Sequence, residues 1–174
     1  MAKRKISLHD FQAYLAGRLN EAAAGIRGAT WLGFETNRKR WLVDLTDSGE
    51  IVQITTETVI LPVPLTLPWF LGLTNIRGNL YAVTDFSVLG GGNPVPRTSQ
   101  ARLLLIGARY GNNTALLVNR LLGLKNPEDF KLKQKNQNEA AWDTQLLTDE
   151  TGAQWHQLSV SNLLNDKQFM NISA

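Results

Sequence analysis

At 174 residues the chain is long enough to bury roughly 70% of its unfolded surface, without help from a metal or a disulfide. It contains no cysteine and only two histidines, His9 and His156, which excludes a disulfide framework, a thiolate zinc site, a cysteine nucleophile and a multi-histidine metal cluster. The net charge of +3 is uneven: residues 1–40 carry eight Lys/Arg against three Asp/Glu, and the remainder carries ten against twelve.

The chain opens with MAKRK but lacks the apolar core and small-residue cleavage site of a signal peptide. No apolar run reaches the about 20 residues that cross a bilayer. The oiliest segment, 61–73, is broken by Pro62, Pro64 and Pro68. These features predict a soluble, cytosolic protein with no direct membrane insertion, in which the sequons at Asn112 and Asn171 carry no weight. Ser7 and Asp10 resemble a capping box, and Leu8, Phe11, Leu15, Leu19 and Ala22 recur at helical spacing up to Gly25. An N-terminal amphipathic helix is therefore expected within residues 1–28.

Beyond Gly28 the period changes. Short segments rich in Val, Ile, Leu, Trp and Thr alternate with turn residues, which predicts a mainly β fold. The expected strands are 30–35, 41–45, 51–55, 59–61, 72–76, 79–85, 102–107, 114–118, 146–148 and 154–158. Asn37 with Arg38, residues 47–49, residues 111–113 and Thr151 with Gly152 supply turns. The Gly/Pro/Ser-rich stretch 90–100 reads as a linker dividing the strands into two sets. Residues 125–143 are polar, carry Pro127 and read as a long loop. Val160, Leu163, Leu164, Phe169 and Met170 predict a short C-terminal helix.

Catalytic signals are sparse. There is no Walker-type ending and no G-x-S-x-G elbow, and Gly90-Gly91-Gly92 runs into Asn93-Pro94-Val95-Pro96, which does not open a helix to cradle phosphate. Asp85 ends an apolar strand, where an Asp is expected to cap the following turn. His156 stands mid-strand in AQWHQL with no Asp or Ser at a recognisable spacing. A nucleic-acid-binding β-barrel is the alternative reading, with Lys3, Arg4, Lys5 and Arg38 to Arg40 as phosphate contacts and the five tryptophans as stacking rings. Of those tryptophans, only Trp41 has basic neighbours.

The stretch LPWFLGLTNIRGNLYAVTDF, residues 67–86, poses a sharper question. TNIRGNLY reads as two strands joined by a tight turn, with Gly78 and Asn79 able to take positive φ. That accounts for the glycine but not for Arg77. Its flat fork of five donors suits carbonyls or carboxylates across an interface, and equally suits tying down a neighbouring loop.

LPWFLGLTNIRGNLYAVTDFSVLG closely resembles the signature of the CheW family of chemotaxis adaptor domains. Upstream, WLVDLTDSGEIV is similar to that family's second strand and turn. Downstream, ARLLLIGARYGNNTALLVNRLLGL is similar to its hairpin, and LSVSNLL to its closing helix. The wording PWFLG, NIRGNLY and DFS, together with the N-terminal extension, is most similar to the PilI branch, which serves type IV pilus twitching motility. The chain departs from the family pattern at Asn119 and Ser159, where an Asp is usual, and across 125–143.

The resemblance implies two five-stranded SH3-like barrels sharing a core within residues 29–174, divided near 90–100, preceded by the extension 1–28. It implies no catalysis, no cofactor and no metal. The implied partners are the cytoplasmic tip of a methyl-accepting chemoreceptor and the regulatory domain of a CheA-type histidine kinase, with recruitment to membrane-associated receptor arrays through those partners. Glu50, Gly72, Asn75, Arg77 and Gly78 fall where receptor contact is expected. For Gly72 and Gly78 a role in backbone geometry alone stays open, as does bracing of the turn by Arg77 against Glu50 or a carbonyl.

Overall fold

The computed structural model describes residues 30–106, 108–135 and 140–174. The expected N-terminal helix and the basic residues Lys3, Arg4 and Lys5 lie outside the described residues. Among the described residues, eleven strands are arranged in two mixed sheets. β1 (Trp31–Thr36), β2 (Lys39–Asp44), β8 (Arg120–Lys125), β9 (Lys131–Lys135), β10 (Asp143–Thr148) and β11 (Gln154–Leu158) form the first, in the order β8-β1-β2-β11-β10-β9. β3 (Ser48–Gln53), β4 (Phe70–Ile76), β5 (Asn79–Asp85), β6 (Arg102–Ile106) and β7 (Thr114–Val118) form the second, in the order β3-β6-β7-β5-β4. Strands from both sides of the 90–100 connection therefore enter both sheets.

The mainly β fold holds, with six and five strands rather than five and five. Neither hydrogen-bonded ladder closes into a full ring among the described residues. In the first sheet the chain passes directly from one end strand, β8, to the other, β9, through residues 126–130. Phe130 on this link packs against Trp31 and Trp155, with ring centroids 5.6 Å away in each case. A curled sheet with its end strands joined this way approaches a barrel without a continuous ladder.

The central strands of both sheets bury side chains on both faces. On β1 and β2, Leu32, Phe34, Trp41 and Val43 point into a shared core, where they meet Leu104, Ile106, Leu116 and Val118 of β6 and β7. On the opposite face of the first sheet, Leu42, Leu147 and Trp155 form a smaller cluster with Leu122 and Phe130. On the opposite face of the second sheet, Leu103, Leu105, Ala115 and Leu117 pack with Val83, Ile54, Ile76 and Val95. Burial on two faces explains why RLLLI and TALLV are unbroken apolar runs instead of alternating ones.

Polar residues fix the ends of elements. Asp85, 1% exposed, accepts from the backbone N–H groups of Ser87, Val88 and Val95 at 2.8–3.1 Å and so caps α1 (Phe86–Leu89). Its carboxylate is occupied by these three donors, which is the capping role expected of it. Ser159 accepts from Asn162 N–H and starts α2 (Val160–Asn165), which α3 (Lys167–Met170) follows. A serine satisfies the same orphan helix donor that an Asp would. Phe169 of α3 stacks on Trp69 at 5.5 Å, and the tail beyond it pairs with the 65–67 segment through Leu67 N–H to Ile172 O and Ala174 N–H to Leu65 O.

Several expectations change. Residues 120–125, outside every expected strand, form β8 against β1. Segment 59–61 makes only a single bridge, Leu61 to Leu73, because the prolines after it remove ladder donors. Segment 125–143 supplies β9 and the start of β10. β9 is an edge strand, and its sequence KLKQK carries the lysines that keep such an edge from pairing with other chains. The positive-φ residues of the 77–78 turn are Arg77 and Gly78, at 51° and 86°, not Gly78 and Asn79, because Ile76 pairs with Asn79.

Asp149 organises the β10–β11 turn. It accepts from the hydroxyl and N–H of Thr151, from Ala153 N–H and from Trp155 Nε1. Those bonds, led by the Thr151 hydroxyl and then the Trp155 indole, hold its carboxyl at about 2 against an ordinary 3.8. A lowered folded-state pKa gives stability that is full above the unfolded value and lost as pH falls through the folded one. The stability advantage over Asp149→Asn is therefore expected to be complete above about pH 4 and to fade toward about pH 2. Thermal melts of both proteins across that range check it, and an advantage that does not change with pH contradicts it.

Candidate functional site

The second sheet has an open seam. Its end strands, β3 and β4, are not hydrogen-bonded to each other, and the gap forms a groove of about 390 Å³. The lining residues come from three stretches: Glu50 and Val52 on β3, Thr55, Glu57, Thr58 and Val59 in the following loop, and Asn75, Ile76 and Arg77 at the end of β4. Across the seam Arg77 Nη2 lies 2.7 Å from Glu50 Oε1, and Nη1 donates to Oε2 at 2.9 Å. The pair is bidentate, yet the arginine side chain is 77% exposed, so its contribution to stability is at most about 1 kcal/mol.

The turn that presents Arg77 is built from its neighbours. Asn75 Oδ1 accepts from Gly78 N–H at 2.8 Å, which closes the loop locally. Residues 77 and 78 both take the left-handed backbone that a two-residue hairpin loop requires. Asn or Gly adopts that conformation at little cost, whereas an arginine there adds about 1–2 kcal/mol of strain. The two-residue turn between β1 and β2 uses the same backbone, with Asn37 at 49° and Arg38 at 60°.

Gly72 serves the seam from below. It sits at a register shift in β4 with φ of +125°, beside the Leu61–Leu73 bridge, whose two backbone hydrogen bonds measure 2.8 and 2.9 Å. A Cβ at residue 72 would overlap the Leu61 carbonyl, coming 2.6 Å from its carbon and 2.9 Å from Pro62 Cα. Glycine here lets the 54–68 loop lie along the free edge of β4. Thr74 Oγ1 pins the same loop by donating to Val59 O at 2.8 Å.

Of the five residues singled out in the sequence, Glu50, Asn75 and Arg77 line one groove. Gly72 and Gly78 do not line it but set the backbone that shapes it. Sequence reading missed Val52, Thr55, Glu57, Thr58 and Val59. The available signal was VILPVPL, in which two prolines interrupt the apolar run, so that it suits an exposed loop better than a strand. This loop leaves Val59, Leu61 and Leu65 exposed at 63%, 61% and 86%, and Leu65 has a φ of 58°. An apolar side chain held outward on a strained backbone is a feature of contact surfaces.

The catalytic and stacking alternatives fare differently. Asp85 is consumed by its cap, and His156 Nδ1 lies 2.8 Å from Asp143 Oδ2 with the imidazole against the Trp41 ring. Trp41, Trp142 and Trp155 are buried, while Trp31 and Trp69 are half-buried against the same clusters. The tryptophans therefore form no exposed row on which bases would stack. Among the described residues no helix is long and apolar enough to cross a membrane.

The seam geometry separates the two glycines. Gly72→Ala is expected to lower stability by about 3 kcal/mol or more, since strain and a backbone clash add. Gly78→Ala, with nothing within 4 Å of its Cβ, is expected to cost about 1 kcal/mol of backbone strain alone. Urea denaturation of both variants measures this. Equal losses would mean that Gly72 has no packing role.

Comparison with known proteins bears on the whole domain. The CheW-like domain family profile matches residues 30–168. The fold is similar to that of the scaffolding protein TtCheW from Thermoanaerobacter tengcongensis, with a TM-score of 0.62 at 14% sequence identity, covering 76% of this chain and 89% of that one. No curated protein matches the chain in sequence.

Proposed function

This chain belongs to the CheW-like family, and from that premise we propose that it is a non-enzymatic adaptor coupling a methyl-accepting chemoreceptor to a CheA-type histidine kinase. The observation that carries the reading is Arg77. It occupies a left-handed turn position where asparagine or glycine would be more stable, and it reaches across an open seam to Glu50. A residue that costs backbone strain and returns little stability from an exposed ion pair is kept for what it presents to a partner.

In this reading the receptor tip lies along the seam groove, meeting Glu50, Asn75 and Arg77, while Gly72 and Gly78 hold the groove's shape. The kinase regulatory domain meets exposed apolar side chains elsewhere on the barrels. Each contact buries roughly 800 Å² per partner or less, and array avidity strengthens it. Residues 1–28 form an extension outside the adaptor domain. The PWFLG, NIRGNLY and DFS wording supports service in a type IV pilus pathway, with cytoplasmic protein brought to receptor arrays by its partners.

Arg77→Asn tests the reading, because it creates an Asn-Gly turn and removes the guanidinium. The melting temperature is expected to stay the same or rise, receptor-tip affinity to fall at least about tenfold, and kinase-domain affinity to remain unchanged. Titration calorimetry against each purified partner provides the numbers. Receptor affinity that survives Arg77→Asn contradicts the assignment of the seam, and wild-type protein that binds neither partner contradicts the adaptor.

A further inference from the structure

The first sheet covers one face of the second sheet only in part. Leu116 of β7 lies in the shared core, and Thr84 of β5 is its partner across the ladder. Two residues back along each strand, the next pair on that face is Ala82 with Thr114; Ala82 pairs in turn with Leu73 of β4, and Leu73 bridges to Leu61. The row Leu61, Leu73, Ala82, Thr114 spans about 14 Å at the spacing of neighbouring strands. Its last three members floor an open groove of about 240 Å³, walled by Trp69, Phe169, Met170 and Ile172. Leu73, Ala82, Trp69 and Ile172 are half-buried, and Leu61 and Met170 are exposed, so apolar surface already faces outward here. No lining residue is charged, and none belongs to the seam groove. An uncovered apolar row of this length marks a contact site.

The described chain begins at the same end of the molecule. Thr30 O accepts from Leu45 N–H at 2.9 Å, Asp47 accepts from the Tyr110 hydroxyl at 2.7 Å, and Asn112, two residues beyond Tyr110, stands in the groove wall. Upstream of Thr30, outside the described residues, the sequence carries an apolar stripe at Leu8, Phe11, Leu15, Leu19 and Ala22 that has no assigned use. At helical rise Leu8 to Leu19 measures about 16 Å, close to the length of the row. Residues 23–29 form a tether of up to about 25 Å, long enough to cross from Thr30 to Asn112. So short a tether holds the stripe near the groove at an effective concentration in the millimolar range, which favours it over a diffusing partner.

We propose that residues 8–22 of the same chain occupy this groove, with their apolar stripe on Leu73, Ala82 and Met170. The extension, although outside the strands of the domain, then closes its open apolar face. This assignment does not rest on the adaptor reading.

The chain has no cysteine, so Ala13→Cys, on the polar side of the stripe, gives a single attachment point for a nitroxide. In the full-length, nitrogen-15-labelled protein the nitroxide is expected to broaden the amide signals of Leu73, Ala82 and Thr114 and the Trp69 indole signal. Asn37 and Arg38, beyond the opposite end of β7, where Asn37 N–H donates to Asn119 Oδ1, are expected to broaden far less. Adding Phe11→Asp and Leu15→Asp, which alters no residue of the two sheets, is expected to cut the docked population at least about tenfold and remove the broadening. A mixture of nitroxide-bearing unlabelled protein with labelled protein free of nitroxide is expected to show none. No broadening at the groove, or broadening that survives the two aspartates, overturns the proposal and leaves the groove to an outside partner. Broadening as strong in the mixture overturns it in favour of a second copy.

Discussion

Everything in this fold follows from the need of two sheets to bury both of their faces. Phe34, Trp41 and Val43 from one sheet meet Leu104, Leu116 and Val118 from the other in the shared core, while Leu42 and Trp155 on one side and Leu103 and Leu117 on the other face smaller cores of their own. A sheet with a core on each face has to curl around one of them. Curling brings end strands together, and how each pair of ends is finished decides where the surface features lie. In the first sheet, Phe130 and the short 126–130 link finish the job with apolar packing. The second sheet is left with a seam crossed, among the described residues, by the exposed Arg77–Glu50 ion pair.

That difference turns a structural by-product into a binding surface. A seam offers strand edges, a concave floor at Val52 and Ile76, and charged rims at Glu50, Glu57 and Arg77. Such a place is accessible and polar enough to stay in water, yet able to desolvate when a partner arrives. Shaping it requires two departures from low-energy backbone. Gly72 admits the 54–68 loop against β4, and Arg77 sits in a conformation suited to asparagine. The first departure is relieved by glycine; the second is not relieved at all, which separates scaffolding from presentation.

Much of this was legible in the sequence wherever one physical signal dominated. RLLLI and TALLV read as strands because apolar, branched residues leave no other use for them, and Asp85 read as a cap because it closes a strand before a turn. β9 was illegible for the opposite reason: an edge strand protected by lysines looks like a loop. Segment 59–61 looked like a strand by propensity, but the prolines around it settle the matter against a ladder. In the NIRGNLY turn the glycine was legible and the register was not. A shift of one residue moved positive φ from Asn79 to Arg77, and with it the strain that makes the arginine informative. Val52, Thr55, Thr58 and Val59 could not be assigned to the groove, since only the curl of the sheet brings the β3 end and its loop beside β4.

The most direct test of the seam is amide chemical-shift mapping of the labelled protein with a purified receptor tip. The account predicts perturbations concentrated at residues 50–52, 55–59 and 75–78, with the shared core undisturbed. Perturbations centred instead on Leu65 and Met170, or spread evenly over both sheets, would contradict it.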